Sequence, residues 1–378
     1  MFGYYALRSI SLLCMSESNH FLALDRLRAT SNLLRCALHT AVPYMVTRTG
    51  MWPFKEANNS NLLPDVLVFI VHGSIMEIFY FMAGFLAARQ LERHGLHDFV
   101  GNRLRRILLP FAIAMLILVP YVMLLFPVGA ELEQHRQLSW HWPLWVRTAF
   151  GLWSSHLFPL GHLWFLYYLI WYYAVLVLLR PYFSALKRIK GIWWMLWGIA
   201  MMSIAFSKAW YVLNPLTTRI EWNSFIYFLS FFILGAGAFG QNIWIAQAVR
   251  CRFHFLGVFL AMSLVAPSFQ QFAPQHAHPY AQWLHIGAIV TTALHSVSGV
   301  GAAVGWAWSI RKPLSAWMDW MSRASYWVYL VHLPIVMTLH LGLFLFDWPL
   351  LIKYLLALGI SLWVSWLTYI TFGQKLLR

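Results

Sequence analysis

Long apolar runs, separated by short charged or Gly- and Pro-containing connections, set the pattern of this chain. A membrane-spanning helix needs roughly 20 predominantly apolar residues. Segments of that kind fall at 24–46, 65–88, 107–128, 160–179, 191–211, 223–240, 254–269, 282–309, 326–346 and 349–373. The seventh is short and the eighth is long enough to tilt. The pattern predicts an all-α fold, a polytopic transmembrane helix bundle of about ten spanning helices. It forms a single domain over residues 24–378 behind a cytoplasmic lead-in over residues 1–23. That lead-in has only a short apolar run and no small-residue cleavage site, so it does not read as a signal peptide.

The first segment breaks the pattern. Between Leu24 and Val46 it carries Asp25, Arg26, Arg28, Asn32, Arg35 and His39. At about 100° per residue, Arg28, Asn32, Arg35 and His39 project within about 60° of one another, and Asp25 borders the same sector. Arg26 points away and reads as a headgroup anchor. Charge inside a membrane is costly and turns toward the bundle interior or a water-filled cavity. The stripe therefore predicts a polar pathway from the cytoplasmic end of this helix into its outer half. Glu77 is a lone carboxylate in the second segment, expected to pair with Arg35 or to orient His39. Gly73 and Gly84 share its face and permit close helix approach.

Composition supports the membrane reading. Hydrophobic residues make up 61% of the 378 and charged ones 10%, against about 45–50% and about 25% in soluble domains. The net charge of +15 does not point to nucleic acid, because the basic residues sit in short connections rather than in one continuous basic surface. The even connections, with Arg89, Arg93, Arg103, Arg105, Arg106, Arg180, Lys187, Arg188 and Lys190 among their cations, carry about twice the Lys and Arg of the odd ones, which include Arg48, Lys55, Lys208 and Lys353. That bias places both termini in the cytoplasm. Cys14, Cys36 and Cys251 form no CxxC pair, so neither a disulfide framework nor a zinc site is expected. No internal repeat is visible, which weakens the alternative of a multi-pass transporter for a small anionic solute. A bis-histidine haem protein would leave the arginine stripe unexplained.

Several motifs, in order along the chain, then carry a resemblance. They are LDRLRATSNLLRCALH at 24–39, with Arg28 and His39 separated by ten residues, HGSIMEIFYFMAGF at 72–85 and NRLRRILLPF at 102–111. GHLWFLYYL at 161–169, FFILGAGAF at 231–239 and ASYWVYLVHLPIV at 324–336 follow. Together they resemble the acyltransferase family 3 of membrane proteins. The HLWFL, FFILG and YLVH segments resemble the branch that succinylates periplasmic glucans. HGSIMEIFYFMAGF departs from the family's FF-x-x-SGF segment at Ala83, which stands in place of Ser, and at Ser74 and Ile75, which stand where a basic residue often precedes that segment. The resemblance implies transfer of a short acyl group, acetyl or succinyl, from a cytoplasmic acyl-CoA to a carbohydrate hydroxyl at the outer face of a bacterial-type inner membrane. It implies no cofactor and no metal, with acyl-CoA as co-substrate and a periplasmic or cell-surface carbohydrate as acceptor.

Acyl transfer to a hydroxyl needs a base or a nucleophile, and a positive site for the developing oxyanion. His39 is the expected base, since imidazole titrates near neutral pH. Arg28, about 16 Å away along the helix at ~1.5 Å per residue, is expected to hold the cytoplasmic part of the donor. Arg35, Arg103, Arg105, Arg106, Tyr329 and His332 are the further candidates for donor binding, the arginines through the phosphates of CoA. His162 and Trp164 are the candidates for holding a sugar. His276, His278, His285 and His295 match no motif.

Overall fold

A helix occupies each of the ten apolar segments. The computed structural model describes residues 17–47, 52–137, 141–155, 159–182, 191–207, 214–240, 242–272 and 280–376. The lead-in up to residue 16 and the residues Arg48, Lys187, Arg188, Lys190, Lys208, His276 and His278 lie outside them. The helices are α1 (Glu17–Ala41), α2 (Leu62–Arg103), α3 (Leu109–His135), α4 (Trp142–Ser155), α5 (Trp164–Leu179), α6 (Ile192–Ala205) and α7 (Trp222–Ala238). They continue with α8 (Asn242–Arg250), α9 (Arg252–Phe272), α10 (Ala281–Ser309), α11 (Ala316–Arg323), α12 (Ser325–Phe344) and α13 (Leu350–Thr368). Among the described residues there is no β-strand, and the fold is an all-α polytopic bundle.

The expected count of ten spans is not reached on length and apolarity. Six described helices meet both, or seven if the sharply bent pair α7–α8 is one span. The reasons are local. The polar stripe makes α1 too hydrophilic, and α6 has only 14 residues. The run Leu62–His135 is helical over 74 residues, about 110 Å if straight, far more than one bilayer core. It bends at Gly95, whose φ of 77° lies in the left-handed region that glycine favours. A π-helical turn, Leu104–Leu108, then leads into α3. Helix α4 was not foreseen. It falls in the connection after α3, where Trp142, Leu144 and Phe150 are exposed.

Helix α1 runs through the middle of the bundle, packed against α2, α10, α11, α12 and α13. Arg26 is not a headgroup anchor. It is buried, and its guanidinium donates to the Ala307, Ile310 and Lys312 carbonyls at 3.1, 2.9 and 2.5 Å. Those oxygens lie at and just beyond the end of α10, where a helix leaves its last carbonyls without partners.

Helices α2 and α7 meet backbone to backbone, as the small residues on α2 predict. A methyl group on Gly84 would stand 1.9 Å from the Phe232 carbonyl oxygen, and one on Gly235 would stand 1.9 Å from that of Phe81. Backbone atoms in two packed helices cannot move aside as a flexible side chain can. Gly235→Ala is therefore expected to cost at least the ~1–3 kcal/mol typical of overpacking, read as a lowered thermal unfolding temperature in detergent. Gly342→Ala meets nothing within 4 Å and should leave that temperature unchanged. Equal melting of the two variants would show that the α2–α7 contact is looser than described.

The connection 52–61 folds back over one end of the bundle. Asp65, in the first turn of α2, accepts from the backbone N–H of Val46 and Thr47 at 2.7 and 3.0 Å. Glu56 pairs with Lys353 near the start of α13. Trp52 and Phe54 pack with Val122, Met337 and Phe344.

Candidate active site

A cavity of about 330 Å³ lies where α1, α2, α3 and α12 meet the turn leading into α5. Arg35, Leu38 and His39 of α1 face it, as do His72 and Met76 of α2. Tyr329, His332 and Met337 of α12 form another side, and His162 and Trp164 approach from the α5 turn. Asn214 and Thr217 close the same region from the segment before α7. Gly161, at φ 52°, makes the turn that delivers His162.

Arg35 is 3% exposed. Its Cζ lies 3.8 Å from the centroid of the Phe79 ring and 4.8 Å from that of Tyr329. None of its three nitrogens has a hydrogen-bond partner among the described residues. A buried cation without a partner is expensive, and such groups cluster where a ligand supplies the missing contact.

Four imidazoles, of His39, His72, His162 and His332, line the cavity. The His39 and His332 rings are 5.2 Å apart between centroids, and those of His162 and His332 are 5.9 Å apart. Backbone carbonyls fix two of the tautomers, because a carbonyl oxygen only accepts. His332 Nδ1–H donates to the Val328 and Tyr329 carbonyls at 2.9 and 2.8 Å, which leaves Nε2 as a bare lone pair, buried and without a partner. His162 Nε2–H donates to the Leu330 carbonyl at 2.9 Å, leaving Nδ1 in the same condition. The Leu330 carbonyl is free for this bond because Pro334, four residues on in α12, has no N–H to offer it. Tyr329 Oη–H donates to the His162 carbonyl at 2.6 Å and holds the turn from the other side. Among the described residues no group of three or more His, Cys, Asp or Glu is arranged to hold a metal ion.

This inventory matches acyl transfer. Unpaired donors on Arg35 suit an oxygen that becomes negative, and bare imidazole nitrogens suit a hydroxyl that gives up its proton. A family model described as an acyltransferase domain matches residues 21–370. The chain belongs to that acyltransferase family. It is a membrane acyltransferase. The match is to the family as a whole and does not support the glucan-succinylating branch, nor does it favour a transporter. No curated protein and no solved structure matches the chain.

Six of the acyltransferase's eleven candidate residues, Arg35, His39, His162, Trp164, Tyr329 and His332, line this one cavity. Residues expected to hold the donor and those expected to hold the acceptor are therefore not in separate places. The other five lie outside it. Arg28 is paired with Asp25 at 3.0 Å, its side chain 30% exposed, and Asp25 also accepts from Ser322 Oγ at 2.8 Å. Glu77 pairs with neither Arg35 nor His39; it is buried on α2 and accepts from Tyr227 Oη–H at 2.8 Å. Arg103 lies over the Tyr173 and Phe99 rings at 4.6 and 5.1 Å. Arg105 and Arg106 are exposed on the π-helical turn. Asn32 sits within the stripe but donates to Met321 Sδ at 3.3 Å, away from the cavity.

His72 and Asn214 are cavity residues that the sequence did not single out. Asn214 Nδ2 donates to His72 Nε2 at 3.1 Å. Only His72 had a signal, being a histidine inside an apolar run one turn from Met76. Asn214 stands in a connection with nothing to distinguish it.

Proposed function

We propose that this acyltransferase moves an acyl group from a cytoplasmic acyl-CoA to a carbohydrate hydroxyl on the outer side of a bacterial-type inner membrane. In this reading the chain crosses the bilayer ten times with both termini inside, as the excess of Lys and Arg in the even connections suggests. The observation that carries the proposal is the buried Arg35 guanidinium, without a partner among the described residues and facing the same cavity as four imidazoles.

Each residue then has a task. The Arg35 fork holds the thioester carbonyl oxygen, and the Phe79 and Tyr329 rings, 3.8 and 4.8 Å from its Cζ, hold the guanidinium in place. His39 takes the proton of the acceptor hydroxyl as that oxygen attacks the carbonyl carbon. The new C–O bond forms, the C–S bond breaks, and His39 returns the proton to the departing CoA thiolate. An ester and a thiol result, with no net change in protons. The bare nitrogens of His332 and His162 accept hydrogen bonds from acceptor hydroxyls, beside the Trp164 ring. Arg28, one helical face below at the cytoplasmic end, and the Arg103–Arg106 cluster meet the phosphates of CoA.

Loss of a positioned base typically costs about 10²–10⁴ in rate. Mass spectrometry of cell-envelope glycans should therefore show an added acyl mass in cells with the wild-type gene. It should be absent with His39→Ala and without the gene. Glycans from His39→Ala cells that carry the full acyl mass would remove His39 from the mechanism.

A further inference from the structure

The cavity does not stop at the reacting groups. Its lining climbs from Arg35 through Leu38 and His39 to Val42 and Met45 on one side, and from Tyr329 through His332 to Met337 on the other. The compartment beyond Arg35 is thus at the end of the bundle where α1 finishes. We propose that this compartment receives the acyl chain of the donor, and that the chain is uncharged, aliphatic and larger than acetyl. The inference rests on the acyl-CoA reading above and names the acyl group within it.

Order along the α1 axis is the first argument. A donor whose CoA portion lies at the Arg28 end and whose carbonyl meets Arg35 must point its acyl chain onward, past His39. The chain is the leading end of the molecule, so whatever lines the far compartment meets the chain.

Wall chemistry is the second. Val42, Met45, Val122, Met123, Phe126 and Met337 line the cavity at that end, together with the uncharged indole of Trp52. Methionine adapts its three rotatable bonds to the shape of an apolar guest. Arg35 is the one permanent charge among the described lining residues, and in this reading two of its N–H donors face the carbonyl oxygen, behind the acyl chain. The carboxylate of a succinyl group would sit beyond it among these side chains with no counter-charge, an arrangement that burial strongly disfavours. Size is the third. The whole cavity, which also admits the thioester and the acceptor hydroxyl, is about 330 Å³, more than twice the ~150 Å³ that accepts a benzene ring, so a lone acetyl methyl leaves the far apolar wall without contacts.

The test uses the full chain purified in detergent, with affinities for CoA, acetyl-CoA, succinyl-CoA, butyryl-CoA and hexanoyl-CoA from ligand-dependent thermal shifts. Burial of each methylene is worth about fourfold in affinity. Hexanoyl-CoA should bind at least tenfold more tightly than acetyl-CoA, with butyryl-CoA between them and succinyl-CoA no tighter than acetyl-CoA. Met123→Trp, or Val42→Phe if the first variant does not fold, should lower the hexanoyl-to-acetyl affinity ratio at least tenfold by filling the compartment. Equal binding of CoA and every acyl form, or tightest binding of succinyl-CoA, would overturn the aliphatic-chain inference while leaving the donor reading intact. No binding of any CoA species would overturn both.

Discussion

Arg35→Met should abolish acyl transfer and make the protein more stable. The two effects share one cause. Stacking on Phe79 and Tyr329 returns about 0.5–2 kcal/mol per cation–π contact. Taking a guanidinium out of water costs several kcal/mol even after relaxation, and among the described residues no carboxylate or carbonyl offsets it. The desolvation cost wins, so the folded state holds an uncompensated charge, which in the proposed mechanism holds the thioester oxygen. Methionine fills a similar volume without that charge. The variant should unfold at a higher temperature in detergent, while removal of the donors to the oxyanion should lower turnover at least 10²–10³-fold. A variant that unfolds earlier, or one that retains turnover, would show that Arg35 has a partner in the working protein and is not the oxyanion site.

Lys353→Met should have the opposite balance, a loss of stability with no direct effect on the chemistry. Lys353 and Glu56 are 2% and 8% exposed and pair with each other, and Asn59 Nδ2 donates to the other Glu56 oxygen at 3.2 Å. Removing the lysine leaves a buried carboxylate with one neutral donor, a change that typically costs ~3–5 kcal/mol. Replacing both partners, as in Glu56→Gln with Lys353→Met, should recover most of the loss, because no charge is then buried alone. Thermal unfolding of the wild type, the single variant and the double variant measures this directly. A double variant no more stable than the single one would show that the pair is not coupled. Because the 52–61 connection also brings Trp52 to the cavity, the single variant is expected to show looser donor binding as well.

Much of the architecture is legible in the chain because the bilayer imposes local rules. Every apolar run of sufficient length had to become a helix, since no other structure satisfies its backbone in lipid. The stripe on α1 was legible for the same reason, as charges in such a run must turn inward. Gly84 announced the close approach of α2 and α7, because a missing side chain leaves only one use for the space. The motifs around Arg28, His162 and His332 carried the family.

Other features depend on groups distant in sequence. Arg26 and Arg28 stand on one helix two residues apart, yet one caps α10 and the other pairs with Asp25. The Arg28–Asp25 pair is local to α1, three residues apart, but the carbonyls that Arg26 meets lie 281 to 286 positions away and nothing within α1 points to them. Glu77 was expected beside Arg35, but the deciding neighbour was Tyr227, 150 positions away. His162 and His332, read from sequence as serving different substrates, share a cavity, and Pro334, in α12, frees the carbonyl that orients His162.

Ten of the helices, the inward polar stripe and the family resemblance were legible in the spacing of apolar, charged and small residues along one chain. Tertiary structure alone decided that Arg35 rather than Arg28 faces the imidazoles without a partner, and which nitrogen of each fixed imidazole is bare. Periodicity names the face a side chain occupies. The groups that meet it there come from other helices, and those contacts decide which charges are neutralised and which remain free to react.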